Sequence, residues 1–181
     1  MSPPTRHRNL RREDIMYHSN NDNRERFPSR KHPRLKEYNY STPNYYFITI
    51  CTWEKQHLFG QPTHLSLCGH LAEDGILRIP NHFSHITIEK FVVMPNHVHT
   101  ILVVHGIGPD ISTVIGQYKA YVTRKIREIH PMDHVWQASF HDHIIRNQAA
   151  YEKIWLYIHT NPDNWEKVCF YSENQTGSAG S

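Results

Sequence analysis

Two runs of apolar, β-branched residues meet at Pro95-Asn96, and no other stretch of the chain restricts its fold so tightly. Phe91–Met94 and Thr100–Val104 have the Val, Ile and Phe content of strands, and the Pro-Asn between them is turn chemistry. The spacing predicts an antiparallel hairpin of Ile86–Met94 and His97–Val104. Strand side chains alternate with period two, so His97 and His99 leave one face while Val98 points the other way, into a core. Two imidazoles about 7 Å apart along one strand, two residues at ~3.3 Å each, can lean onto one divalent ion. An HxH on a half-exposed strand is as readily a plain polar face. The turn beside it tips the reading toward a metal site, because ligand atoms at the end of a sheet can be approached.

Around this hairpin the pattern is mixed. Tyr45–Thr52 is a strand by composition, and Leu65–Cys68 reads as a second, short one. A weakly helical stretch follows Gly69 through Ile79 and is expected to end at Pro80. Ser112 can cap a helix to about Ile129, with Val114, Ile115, Tyr118, Val122 and Ile126 at spacings of three and four. Val135–Ile145 reads as a short strand or loop. A last helix from about Asn147 to His159 carries Tyr151, Ile154, Tyr157 and Ile158 and is expected to stop before Pro162. That order predicts a small α+β domain, an antiparallel sheet with helices packed on one side.

The 181 residues suit one domain plus tails. Mean hydropathy is low at −0.66, and the deficit is concentrated at the start. Residues 1–40 hold ten basic side chains against five acidic ones, a surplus of five where the whole chain has +3. Their aliphatic content after Met1 is Leu10, Ile15, Met16 and Leu35, too little to fold alone. A basic, flexible arm on a nearly neutral domain suggests a polyanion partner, although a plain solvated tail has the same composition. Residues 41–170 are expected to form the domain, and 171–181 a tail that ends in linker-like Thr176–Ser181. No stretch has the length and apolarity of a membrane span, and the start lacks the apolar core of a signal peptide. Cys51, Cys68 and Cys169 show no CxxC spacing, so neither a disulfide framework nor a cysteine zinc site is expected. The chain reads as cytoplasmic.

On the last helix, Tyr157 and Asn161 are four apart and share a face. The Asn161 amide oxygen with His97 and His99 would make a mixed N/O site suited to Mg²⁺ or Mn²⁺, with positions left for water and a phosphate oxygen. Tyr157 would then stand beside the ion, and a tyrosine can attack a phosphodiester directly. Lys153, one turn earlier, is a possible electrostatic aid or simply a surface lysine. Read alone, Tyr157 between Ile154 and Ile158 is an ordinary core-edge tyrosine. It gains weight only beside the histidines.

The ordered blocks are more specific than any one of them. Arg34-Leu35-Lys36 with Tyr38-x-Tyr40 precedes the first strand, and Phe91–His99 follows. Then come Val135-Trp136-Gln137, Asp142–Asn147 and Tyr157-Ile158-x-x-Asn161-Pro162-x-x-Trp165. Over roughly residues 34–166 this resembles the REP-associated tyrosine transposases, single-tyrosine members of the HUH nuclease superfamily and of the IS200-like group. The resemblance implies a ferredoxin-like fold, metal binding by His97 and His99 with Asn161 as third ligand, and Tyr157 as nucleophile. It implies nicking and rejoining of single-stranded DNA at repetitive palindromic hairpins through a 5′-phosphotyrosine link and a free 3′-hydroxyl. It also implies a nucleoid-associated protein.

For DNA contact the matched basic stretch offers Arg34 and Lys36, and the block around residue 145 offers His143 and Arg146. His143 could serve in DNA binding, proton transfer or packing. Lys119, Arg124 and Lys125 interleave with Tyr118 and Tyr121 as in a single-strand binder, or as on any amphipathic helix with a basic outer face. The arm before residue 33 and Phe140-His141 depart from the family pattern. Three rivals stay open. Tyr118-x-x-Tyr121 imitates the paired tyrosines of some replication initiators and relaxases, a hairpin-binding protein need not cut, and a structural zinc site could draw on some of the 16 histidines. With all four site residues in one small domain, a monomer is slightly favoured over a homodimer.

Overall fold

The computed structural model describes residues 43–173, with side chains through residue 165. The basic arm, Arg34 and Lys36 included, and the end of the chain lie outside the described residues. In chain order the elements are β1 (Asn44–Cys51), β2 (Gly60–Gln61), β3 (His64–Leu65), α1 (Leu67–His82), β4 (Ile86–Met94), β5 (His97–Val104), α2 (Ile111–Ile129), β6 (His141–Ile145) and α3 (Gln148–Glu173). No helix among the described residues is long and apolar enough to cross a membrane.

β4, β5, β1 and β6 form one sheet in that order, every neighbour antiparallel. Each helical crossover therefore joins strands that a third strand separates, the split βαβ arrangement of a ferredoxin-like α+β fold. The Pro95-Asn96 turn sets Met94 opposite His97 and Val93 opposite Val98. Period-two alternation then sorts the side chains. Tyr46, Ile48 and Ile50 of β1 and Val98, Leu102 and Val104 of β5 face α1 and α2, which layer together on one side. Those helices approach so closely at Gly75 that a Cβ there would lie 2.7 Å from Val122 Cγ2. Phe47, Ile101 and Ile145 leave the opposite face and are covered by Tyr151, Ile154 and Ile158 of α3. The helical layer expected on one side is thus α1 with α2, and α3 lies across the other.

Several local boundaries differ from expectation. The strand predicted over Leu65–Cys68 is reduced to His64–Leu65, paired with Gly60–Gln61, because Ser66 starts a helix instead. Its hydroxyl accepts from the Gly69 N–H at 3.1 Å and donates to the Leu58 carbonyl at 2.8 Å. Pro80 sits inside α1, not after it. Only the last turn follows, and Phe83 N–H still reaches the Ile79 carbonyl at 2.9 Å, with Ile79 buried in the core. Asp110, not Ser112, caps α2, accepting from Thr113 N–H at 2.8 Å. The helix starting after Asn147 runs through Pro162 to Glu173 instead of stopping at His159, anchored by the buried Tyr151, Ile154 and Ile158. Of Val135–Ile145, His141–Ile145 is strand, and Trp136 makes a single bridge to Thr52.

Ile101 is fully buried between β5 and α3. Ile101→Ala is expected to cost about 2–5 kcal/mol in urea unfolding with an unchanged m-value. A loss below about 1 kcal/mol would mean that α3 is not seated on this face.

Candidate active site

β5 presents His97 and His99 on the face that α3 covers, with ring centroids 4.4 Å apart. Each ring is oriented through Nδ1. His99 Nδ1 lies 2.8 Å from the Thr49 hydroxyl, its cross-strand partner on β1. His97 Nδ1–H donates to Asn96 Oδ1 at 2.7 Å. With Nδ1 engaged, His99 turns Nε2 toward Tyr157 on α3, the orientation that an outer hydrogen bond gives a metal-binding imidazole. His97 Nε2 is buried and has no hydrogen-bond partner. His99 Nε2 stands 3.3 Å from the Tyr157 hydroxyl. Asn161, one helical turn on, hydrogen-bonds the same phenol.

Electrostatics follow from dryness. Burial, with the nearby charge of Lys55, holds the His97 pKa down to about 4. Burial and the neighbouring His97 hold His99 well below its ordinary range. Both rings are therefore neutral near pH 7, with lone pairs open to a Lewis acid. Burial raises the Tyr157 pKa, and an amide N–H from Asn161 donating to the phenol oxygen opposes that rise. Phe47 walls the site, meeting the His99 ring at 5.2 Å and the Tyr157 ring edge-on at 6.1 Å. Two neutral nitrogens and an amide, one nitrogen an orphaned buried acceptor, fit a divalent cation that keeps open positions. Among the described residues no group of three or more His, Cys, Asp or Glu gathers to form a closed cage.

A family model described as transposase IS200-like matches residues 45–161, more than half of the chain. The chain belongs to the IS200-like transposase family. Its activity is accordingly of the transposase type. An uncharacterized protein of Haemophilus influenzae strain Rd is 33% identical over 167 residues, covering 78% of this chain and 93% of its own. The fold is also that of a REP-associated tyrosine transposase solved with a REP hairpin bound. That likeness has a TM-score of 0.58 and 22% identity, covering 72% of this chain and 74% of that one.

In this transposase the other predicted residues scatter. His143 is half-buried on β6, opposite Phe47 and on the histidine face of the sheet, and Arg146 is exposed just beyond it. Lys153 is exposed. Arg124 is exposed above the Tyr121 ring, and Lys125 pairs with Glu128 at 2.9 Å, both on α2 across the sheet from the histidines. Lys119 has a different occupation from the one expected: its ammonium donates to the Gln137 and Ser139 carbonyls, each at 2.8 Å, and ties α2 to the segment before β6. The paired tyrosines are structural, Tyr118 buried with its hydroxyl donating to the Ala72 carbonyl and Tyr121 donating to Asp74. Sequence reasoning assigned no part to Thr49, Asn96, Phe47 or Trp165. Thr49 and Phe47 depend on register, whereas Asn96 as the neighbour of His97, and Trp165 at four residues past Asn161 on the same helix face, were readable.

Burial pushes Lys119 from its ordinary 10.5 down to about 8. Between those values the unfolded chain holds more protons than the folded one, so this group's contribution to stability rises with pH across that window. The stability of wild type relative to Lys119→Met is expected to increase from pH 8 to 10.5 in chemical denaturation. A flat difference would place the lysine in solvent.

Proposed function

We propose that this IS200-like transposase is a metal-dependent single-stranded DNA endonuclease and strand transferase acting at repetitive extragenic palindromic hairpins, with Tyr157 as nucleophile. The observation that carries the reading is the Tyr157 hydroxyl 3.3 Å from His99 Nε2, beside the buried, unpartnered His97 Nε2. Family membership supports it, as does the hairpin bound by the structurally similar REP-associated tyrosine transposase.

Tyr157 Oη gives up its proton to solvent and attacks the scissile phosphorus, the bond from phosphorus to the 3′ oxygen breaks, and that oxygen takes a proton from solvent and leaves as a 3′-hydroxyl. The 5′ end stays on the tyrosine as a phosphodiester, so an incoming 3′-hydroxyl can reverse the step without ATP. His97, His99 and Asn161 would hold the ion, Mg²⁺ or Mn²⁺. When bound, such an ion supplies Lewis-acid polarisation of the phosphate and a positive charge that eases loss of the phenol proton. Thr49 and Asn96 keep the imidazoles pointed, and Phe47 packs edge-on against the phenol ring.

The rival readings lose support on geometry. Tyr118 and Tyr121 lie on α2, across the sheet from the histidines, so they cannot serve as an initiator-type pair at this site. A binding protein that had stopped cutting would have no need to keep the phenol, both imidazoles and the amide in mutual reach. β5 and α3 of one chain supply all four groups, which supports a monomer as the working unit.

On single-stranded oligonucleotides from palindromes flanking the gene, wild type with Mg²⁺ or Mn²⁺ is expected to give a covalent protein–DNA band on denaturing gels. The band should vanish in Tyr157→Phe and persist in Tyr118→Phe and Tyr121→Phe. Tight binding without a band in wild type would leave the recognition-only reading. Chelation should abolish the band without changing the far-UV circular dichroism, whereas unfolding on chelation would indicate a structural zinc site. Thr49→Val should raise the metal concentration for half-maximal cleavage by about 10- to 100-fold. No shift would mean that the Thr49–His99 bond does not tune the ion.

A further inference from the structure

We infer that the β1–β2 loop and the distal part of α3 form a nucleotide subsite beside Tyr157, in which Trp165 stacks the base and Lys55 takes the phosphate of one nucleotide in the single-stranded flank. The inference rests on the proposed function above and deepens it.

The loop starts from a strained turn. Glu54 and Lys55 both take left-handed backbone conformations, with φ of 50° and 56°, in the 3-10 turn Trp53–Lys55. Side chains avoid that region unless the surroundings impose it, and such residues concentrate at functional sites. Here the surroundings do impose it. The buried Thr52 donates its hydroxyl to the Gln56 carbonyl at 2.8 Å and the Asn96 carbonyl at 3.0 Å, and its N–H to Asn96 at 2.9 Å. Trp53 N–H bonds the Val135 carbonyl at 2.9 Å, and Phe59 N–H bonds the Pro95 carbonyl at 3.0 Å. The loop is thus fastened to the very turn that launches His97.

What the loop presents is one cation and one ring. Lys55 is exposed, its charge bears on both His97 and Cys51, and its ammonium has no partner among the described residues. His57 is exposed with its ring 5.3 Å from that of Trp165, at 63°. Trp165 in turn lies 6.2 Å from the His97 ring. It is only half-buried, although it carries one of the largest apolar surfaces near the site. Trp165 follows Asn161 by one helical turn and Tyr157 by two, so helix and loop converge on one spot. A cation beside an aromatic platform is the chemistry that holds single-stranded nucleic acid: the ring accepts any base by its π-face and the cation holds the backbone. The subsite therefore sets position along the strand and not base identity.

The test measures binding in the Tyr157→Phe background, so that affinity is read without cleavage, with abasic positions scanned along the single-stranded flank. At one position the abasic site is expected to weaken binding about tenfold. Adding Trp165→Ala should make that position's abasic penalty disappear, while Trp165→Phe restores it. Adding Lys55→Met should lower the slope of log affinity against log salt by about 0.7, the loss of one phosphate contact on a single strand. Lys55→Arg should return the slope. An abasic penalty equal at every position with and without Trp165 would overturn the stacking role, and an unchanged salt slope would overturn the role of Lys55. Circular dichroism of each variant, with the phenylalanine and arginine forms, separates misfolding from loss of contact. The wild-type covalent band reports the Tyr157 chemistry independently: a band without coupling sinks the subsite alone, and coupling without a band sinks the nucleophile alone.

Discussion

A two-residue turn at Pro95-Asn96 sets the register of β4 against β5, and the site hangs on that register. Because strand side chains alternate with period two, a slip of one residue would exchange the faces. His97 and His99 would then enter the core under α1 and α2, while Val98 and Leu102 would face α3. Imidazoles in that apolar core would be stranded polar groups, each a cost of about 1–3 kcal/mol without a partner. The same pairing that buries Val98 and Leu102 therefore aims the imidazoles, and stability and site geometry select one register together. β1 extends the selection: Thr49 meets His99 only because it sits directly opposite in the ladder.

The two faces of the sheet divide the labour. One holds the larger core, in which the α2 tyrosines and Lys119 spend their polar atoms on carbonyls and a carboxylate of neighbouring segments. The other holds a smaller cluster beneath α3, and its edge grades from Ile101 and Ile158 through Phe47 into the histidines and Tyr157. That gradient keeps the imidazoles neutral. A bare charge is expensive in such surroundings, so the imidazolium forms of His97 and His99 are disfavoured there.

What was legible in the sequence was local. The hairpin, the shared face of His97 and His99, the inward Val98 and the 3.6-residue stripe of α2 follow from periodicities within single segments. What was not legible depended on partners far along the chain. Lys119 reads as a solvated cation until its acceptors, 18 and 20 residues away, are in view. Thr49 and His99 are separated by 50 positions. No pattern within α3 states which sheet face it covers, since Trp155, Tyr157 and His159 spread rings around it. Both helix ends assigned to proline were wrong for one reason. A local preference against helix before proline gives way where the preceding turn is fixed by buried side chains, Ile79 in one case and Ile158 in the other.

The proline in α3 also bears on chemistry. A helix advances about 1.5 Å per residue, so Asn161 lies about 6 Å and Trp165 about 12 Å along the axis from Tyr157. A chain that turned away at Pro162 would keep the phenol and the amide but carry Trp165 off that line. Continuing through the proline sacrifices the backbone bond to the Ile158 carbonyl. Side-chain bonds cluster around the break: Thr160 hydroxyl to the Leu156 carbonyl at 3.0 Å and the Asn164 amide to the Thr160 carbonyl at 3.1 Å. The helix thereby reaches past the two histidines to meet His57 on the β1–β2 loop. One rigid element thus sets the spacing between the phenol that would attack and the ring that would hold the neighbouring base, independent of any loop movement.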